Sequence, residues 1–222
     1  MRKAFLISAT AALCLALAAC AGLPILGQML NQLSVSLGNE IAIPGTLTLD
    51  LAPSAQQGLQ LGNALLGQLG AGTVQQRLGQ ALQGQTGPLR RQGAALVRQQ
   101  LQDAKIFGGV VAQGGNLGLS VGVSRLGLAY NGSTRAYELV LDLEMKLSEP
   151  HLGVVWSGQR SAKDLGANVK GLAGRLNVAG LLSQPNTFNS LAQAGIKDLS
   201  AQLLEDLRQH PPLAALGTMK LP

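Results

Sequence analysis

Gly118-Leu119-Ser120-Val121-Gly122 matches the Gly-x-Ser-x-Gly pattern of a nucleophile elbow, with Ser120 as the candidate nucleophile. Asp142, Asp164 and Asp198, with His151 and His210, would supply an acid and a base in the chain order Ser, Asp, His. That chemistry needs a sharp strand-to-helix turn that pushes the serine hydroxyl toward its base. The residues around Ser120 argue otherwise: Leu117, Leu119, Val121 and Val123 alternate with Gly118, Ser120, Gly122 and Ser124, so Ser120 is expected on the wet face of a continuing strand. A second candidate is the acidic set Glu138, Asp142 and Glu144 on one strand face, where neighbours at i and i+2 stand about 6.8 Å apart, within reach of an acid/base pair. Nothing in the sequence suggests a cleft to desolvate one of them, and Lys146 and Arg135 lie close by, so a solvated face is the expectation. His151 beside Pro150 and His210 beside Pro211 read as turn residues.

Metal and cofactor chemistry find no support. Two histidines without a free cysteine offer no zinc spacing, and there is no aspartate-rich loop, phosphate loop or Gly-x-Gly-x-x-Gly. No catalytic, cofactor-binding or metal residue is therefore assigned. Phe107, Tyr130, Tyr137, Trp156 and Phe188 are too few and too dispersed for base or sugar stacking. The formal charge of +6 is scattered, which argues against nucleic acid as a partner. Arg90, Arg91 and Arg98 form the densest basic group, with Arg91 and Arg98 two helical turns apart, and would face acidic lipid or a partner if they do anything specific.

The N-terminus speaks most directly about location. Met1-Arg2-Lys3 precedes an apolar run from Ala4 to Ala19, interrupted only by Ser8 and Thr10, which is the pattern of a secretory signal over residues 1–19. Leu17-Ala18-Ala19-Cys20 closes it and resembles the lipobox of bacterial lipoprotein precursors. The resemblance implies cleavage between Ala19 and Cys20, thioether diacylglycerol on Cys20, and acylation (palmitate or a similar chain) of the new amino terminus. Multiple acyl chains give stable anchoring without a membrane span. Ala21, rather than Asp, at the second mature position implies forwarding to the outer membrane, with the chain facing the periplasm. With Cys14 removed in the leader and Cys20 acylated, no thiol is left for a disulfide. Losing Arg2 and Lys3 lowers the formal charge to +4.

What remains is ~200 residues, enough to bury roughly 70% of the unfolded surface in one core. Residues 20–40 are expected as a lipidated tether, with Ile25, Met29, Leu30 and Leu33 at helical spacing. Residues 41–210 form a single domain and 211–222 a tail. A strand is expected over Ile41 to Leu51, broken or bent at Pro44-Gly45. The Gln, Gly and Leu-rich insertion over 54–85 reads as one or two short helices or as disorder. Thr86 to Ala104 predicts a helix capped by Thr86, and Ile106 to Val111 a short edge strand.

Ala136 to Leu147 alternates most cleanly, with Tyr137, Leu139, Leu141, Leu143, Met145 and Leu147 on its core face. The run before it changes apolar parity near Ser124-Arg125, which predicts a bulge, and Asn131-Gly132 predicts the hairpin between the two. Leu152 to Arg160 completes a three-stranded meander, with Leu152, Val154 and Trp156 expected on one side. Leu165, Val169, Leu172 and Leu176 suggest weak helix, and Pro185 to Arg208 a strong one ended by His210-Pro211-Pro212. The expected fold class is α+β: an antiparallel meander sheet packed by two main helices, with a low-complexity insertion.

Together with the lipobox, this order resembles small α/β envelope lipoproteins: the YajG-like family, the auxiliary lipoproteins of ABC-type lipid transport systems, and more remotely the curli-secretion lipoprotein fold. The resemblance rests on the helix Ala-Leu-Val-Arg-Gln-Gln-Leu running into Lys105-Ile106-Phe107, the meander and the terminal Leu-rich helix, and spans Ile41 to Gln209. The expected function is a membrane-tethered, non-enzymatic accessory or assembly component of the cell envelope, held to the membrane through Cys20 and acting on an envelope protein partner or by self-association. Two alternatives stand beside it. One is a lipid-binding or transport-auxiliary lipoprotein, whose leucine-rich insertion covers an apolar groove; the other, more remote, is an anchored serine hydrolase using Ser120.

Overall fold

The structure is a computed structural model that describes residues 30–52 and 74–212. In chain order its elements are β1 (Ser34–Leu37), β2 (Thr48–Asp50), α1 (Val74–Gln83), α2 (Thr86–Ala104), β3 (Gly109–Val111), β4 (Leu117–Asn131), β5 (Ala136–Glu149), β6 (Gly153–Ser161), a 3₁₀ turn at Ala162–Asp164, α3 (Ala167–Ala173), α4 (Val178–Ser183) and α5 (Asn186–Gln209).

The fold is α+β, with a mixed sheet ordered β3-β1-β4-β5-β6. β4, β5 and β6 are the antiparallel meander. The sheet is not purely a meander, because β1 lies parallel to both β3 and β4, and β2 lies parallel to β4. β5 has the expected faces: Tyr137, Leu139, Leu141, Leu143, Met145 and Leu147 are all buried. Each such burial is worth about 1.5–3 kcal/mol. Against this uninterrupted ladder, β4 slips by one residue between Val123 and Arg125, leaving Ser124 extra, so that Leu126 and Leu128 point into the core as Val121 and Val123 do. The bulge is where the parity change puts it.

α2 and α5 cover the core face side by side and in the same direction. Gln92 accepts hydrogen bonds from Asn189 (3.0 Å) and Gln193 (2.7 Å), and two turns on Gln100 donates to the Lys197 carbonyl (2.8 Å) and accepts from Ser200. Gly195 lets α5 approach the sheet, since a Cβ there would stand 2.7 Å from methyl groups of Leu139 and Leu141. Phe188, Leu191, Ile196, Leu199, Leu203 and Leu207 form its buried stripe. Lys105, in the left-handed region at φ +51°, ends α2 and turns the chain into β3.

Several expectations change. Ser34–Leu37 is a strand of the sheet, so the tether expected through residue 40 ends earlier; the alternation of Val35 and Leu37 inward is too short to register in a run that also has helical spacing. Thr86 does not cap α2: its hydroxyl donates to the Gln83 carbonyl, and Gln85 precedes the first turn. Val154 and Trp156 lie on opposite faces, because β6 carries a bulge of its own, in which Ser148 pairs with Val154 while the adjacent Leu147 pairs with Trp156. Leu172 is 49% exposed rather than core. Within the insertion, Val74–Gln83 is α1, with Leu78 and Leu82 fully buried; residues 54–73 lie outside the described residues, as do the leader and the tail beyond 212.

The packing of β2 on β4 depends on Gly127, where a Cβ would come within 1.8 Å of the Thr48 carbonyl oxygen. Gly127→Ala is expected to lower stability by about 1–3 kcal/mol in urea unfolding. Gly132→Ala, with nothing within 4 Å of the new methyl, is the control and should unfold at nearly the wild-type midpoint. Equal midpoints for both variants would remove β2 docking as a constraint.

Candidate functional site

Ser120 sits in mid-strand, paired with Lys146 across the β4–β5 ladder, and its hydroxyl donates to the Lys146 carbonyl at 3.4 Å. The alternation runs on through it into Gly122, so the strand-to-helix turn of an elbow is absent at this position. The three candidate aspartates are each engaged elsewhere. Asp142 pairs with Arg125 (3.5 Å), Asp164 accepts from the Ser161 backbone N–H (2.9 Å), and Asp198 accepts from the Gly166 N–H (2.7 Å). His151 lies in the β5–β6 turn, and His210 follows α5 with Nδ1 3.4 Å from Asp206.

The acidic face of β5 is an open sheet face with local partners. Glu144 pairs with Lys146 at 2.8 Å, and Glu138 accepts from the Asn131 amide at 2.7 Å. Arg125, not Arg135, answers the aspartate; Arg135 instead takes φ +53° in the hairpin turn, where Asn131 Oδ1 accepts from the Ser133 and Thr134 N–H groups. Among the described residues, no group of three or more His, Cys, Asp or Glu side chains is arranged to hold a metal ion. None of the described helices is long and apolar enough to cross a membrane. Cys20 and Ala19, the expected lipidation and cleavage residues, lie outside the described residues.

The basic group of α2 has a structural use that its spacing does not announce. The stretch from Ser34 to Asp50 runs along one side of β4 as an interrupted parallel strand: β1 pairs with its start, Ala42 bridges to Gly122, and β2 pairs near its end. Where the stretch leaves the ladder its carbonyls need other donors. Arg98 Nη2 donates to the Leu37 and Gly38 carbonyls (3.0 and 3.2 Å) and to Asn39 Oδ1 (3.2 Å), and Arg90 Nη2 donates to the Ile43 carbonyl (3.0 Å). Arg91, expected to share a face with Arg98, is exposed.

Two shallow depressions are formed by described residues. One, between Thr46–Leu49 and α1, is lined by Leu47, Leu49, Gln76, Gln80 and Gln83, so glutamine amides line it as much as leucine does. The other lies along α5 beside β6, where Arg160, Asp198, Gln202 and Asp206 line it and Arg160 stands 4.0 Å from Asp206. More distinctive is the sheet boundary. β6 is an end strand whose outer edge has no strand partner among the described residues. The turn before it is rigidly built: buried Glu149 accepts from the His151 and Leu152 N–H groups, both at 2.6 Å, and Gly153 takes φ +76°.

No protein-family model matches the chain, and no curated protein matches it. Among solved structures it is similar to protein XCC0632 from Xanthomonas campestris, assigned to DUF330, at 13% identity over 80% of this chain and 84% of that one, with a TM-score of 0.40. It is also similar to PelC from Paraburkholderia phytofirmans, solved as a dodecamer, at 15% identity over 77% and 89% of the two chains, with a TM-score of 0.29.

If Arg98 serves the broken strand rather than a ligand, Arg98→Ala should cost about 1–3 kcal/mol of stability through its lost charged hydrogen bonds. Arg91→Ala should stay within about 0.5 kcal/mol of wild type. Unfolding midpoints in urea decide it; an unchanged Arg98→Ala would return that side chain to the list of contact residues.

Proposed function

We propose that this protein is a lipid-anchored, non-enzymatic module of the cell envelope, tethered through Cys20 to the outer membrane on its periplasmic side, that acts as an accessory or assembly component through protein-protein contact. The observation that carries this reading is the outer edge of β6. A strand edge presents a row of backbone N–H and C=O groups, which is a template for pairing with another chain. Here the edge runs from Gly153 to Ser161, it is without a strand partner among the described residues, and the Glu149 turn fixes its start. Ser120 and the three aspartates are consistent with the same reading, since their side chains are engaged in the ladder, an ion pair and turn or loop hydrogen bonds.

The test is affinity purification of the acylated protein from membranes in mild detergent beside a Cys20→Ala control, with site-directed crosslinkers along β6. A stoichiometric protein partner crosslinked to β6 in the acylated protein and lost in the control is expected. Bound lipid retained by the soluble control, with no protein partner, would replace this reading with a lipid carrier. Fluorophosphonate labelling of Ser120 in the folded protein would replace it with a hydrolase.

A further inference from the structure

One row of the sheet has apolar side chains exposed at both of its ends. Register partners follow strand by strand from Val111 on β3 to Ser36 on β1, Gly118 on β4, Ser148 on β5 and Val154 on β6. The middle of the row is small, whereas Val111 is 37% and Val154 58% exposed. Leu152, 46% exposed, stands two residues before Val154 on the turn that Glu149 and Gly153 hold. A large apolar side chain presented by a rigid turn differs from a leucine stranded on a loose loop, because little conformational freedom is lost when it is covered.

The position of this row in the fold says what covers it. β1, β3, β4 and β6 all start at this end, and β5 finishes there. The described chain enters at the same end: Leu30 to Leu33 lead into β1, and the Leu33 carbonyl accepts from the Gly108 N–H at 2.9 Å, just before β3. Cys20 is ten residues upstream of Leu30, and ten residues reach at most about 35 Å. β4, with 15 residues, is about 50 Å long, so the far end of the sheet stands well beyond that reach from the point of entry. Among the described residues, the other exposed large apolar side chains, Leu172 and Leu182, belong to that far end. α3, which carries Leu172, leads to Gly174 beside Ala136 at the start of β5, and α4, which carries Leu182, leads directly into the N-terminus of α5.

We infer that the end of the sheet bearing Val111, Leu152 and Val154 seats on the phospholipid bilayer to which Cys20 is attached, with Leu152 and Val154 entering the hydrocarbon margin. The inference rests on the anchored reading above. The apolar area is small, so the acyl chains hold the protein and this contact orients it; tethering raises the local concentration of the bilayer until a weak contact is occupied.

The experiment uses the acylated full chain in vesicles of phosphatidylcholine and phosphatidylglycerol, with an environment-sensitive fluorophore on Leu152→Cys or, as the control, Leu182→Cys. Both sites are exposed, and in the acylated mature chain the introduced cysteine is the sole thiol. Doxyl-labelled lipid should quench the probe at 152, and dithionite should reach it several-fold more slowly than the probe at 182. Equal access at the two positions, or quenching at 182 instead, overturns the inference. A probe at 152 that is shielded from dithionite yet not quenched by doxyl lipid is covered by protein, which also overturns it. Intact mass separates the two levels: an unacylated mature chain refutes the anchored reading, whereas an acylated chain with a wet probe at 152 refutes the seating alone.

Discussion

The arrangement depends on one register constraint, the pairing of β4 with β5. β5 keeps a strict period of two from Tyr137 to Leu147 and so fixes which face of the sheet is core. β4 changes apolar parity after Val123, and without compensation Leu126 and Leu128 would turn to water. Ser124, bulged out opposite the Leu143–Asp142 step, restores them to the face that α5 covers. Everything packed on that face inherits the correction, including the close approach of Gly195 to Leu139 and Leu141.

A second constraint follows on the other side of β4. Its length exceeds what β1 and β2 can pair with, and the segment between them leaves and rejoins the ladder through the single bridge at Ala42, held by Ala42 N–H to Val121 (3.1 Å) and Val123 N–H to Ala42 (2.7 Å). Carbonyls that lose their ladder partners in a partly buried setting need donors. α2 supplies them from Arg90 and Arg98, and its own Arg90 carbonyl takes the Ile41 N–H at 3.2 Å. The basic face of α2 is thereby joined to the sheet, and the helix cannot shift without unpairing the broken strand. Residues whose charge suggests a ligand site are employed in backbone satisfaction.

This division explains what was legible in the sequence. The two long helices, the meander and the β4 bulge rest on local periodicity, which survives in the structure because each element buries one face. β1 was hidden because four residues, with only Val35 and Leu37 inward, carry too little pattern against the helical spacing of Leu30 and Leu33. The parallel pairings were hidden because β1, Ala42 and β2 meet β4 from some eighty positions away, and no local rule encodes that registry. The same separation concealed the part played by Arg98: its acceptors lie about sixty residues earlier in the chain. The bulge in β6 was illegible because Val154, Val155 and Trp156 are all apolar, so no parity change marked it.

The two surfaces argued for contact bear on each other. With the strand ends on the bilayer, β4, β5 and β6 would stand away from the membrane, and the outer edge of β6 would face sideways along the membrane plane. A nine-residue strand extends about 30 Å, comparable to the greatest reach of the ten residues from Cys20 to Leu30. On the proposed anchored reading, this geometry would favour a partner held at the same membrane, because both chains would then be confined to one layer and meet edge to edge at high local concentration. The bulge at Val155 would limit such a contact to the stretch beyond Trp156, since a bulge interrupts the regular edge on which an added strand would pair. On that reading, a β6 edge that is regular only in its second half, and held upright by an apolar foot, would select for partners of defined height above the bilayer.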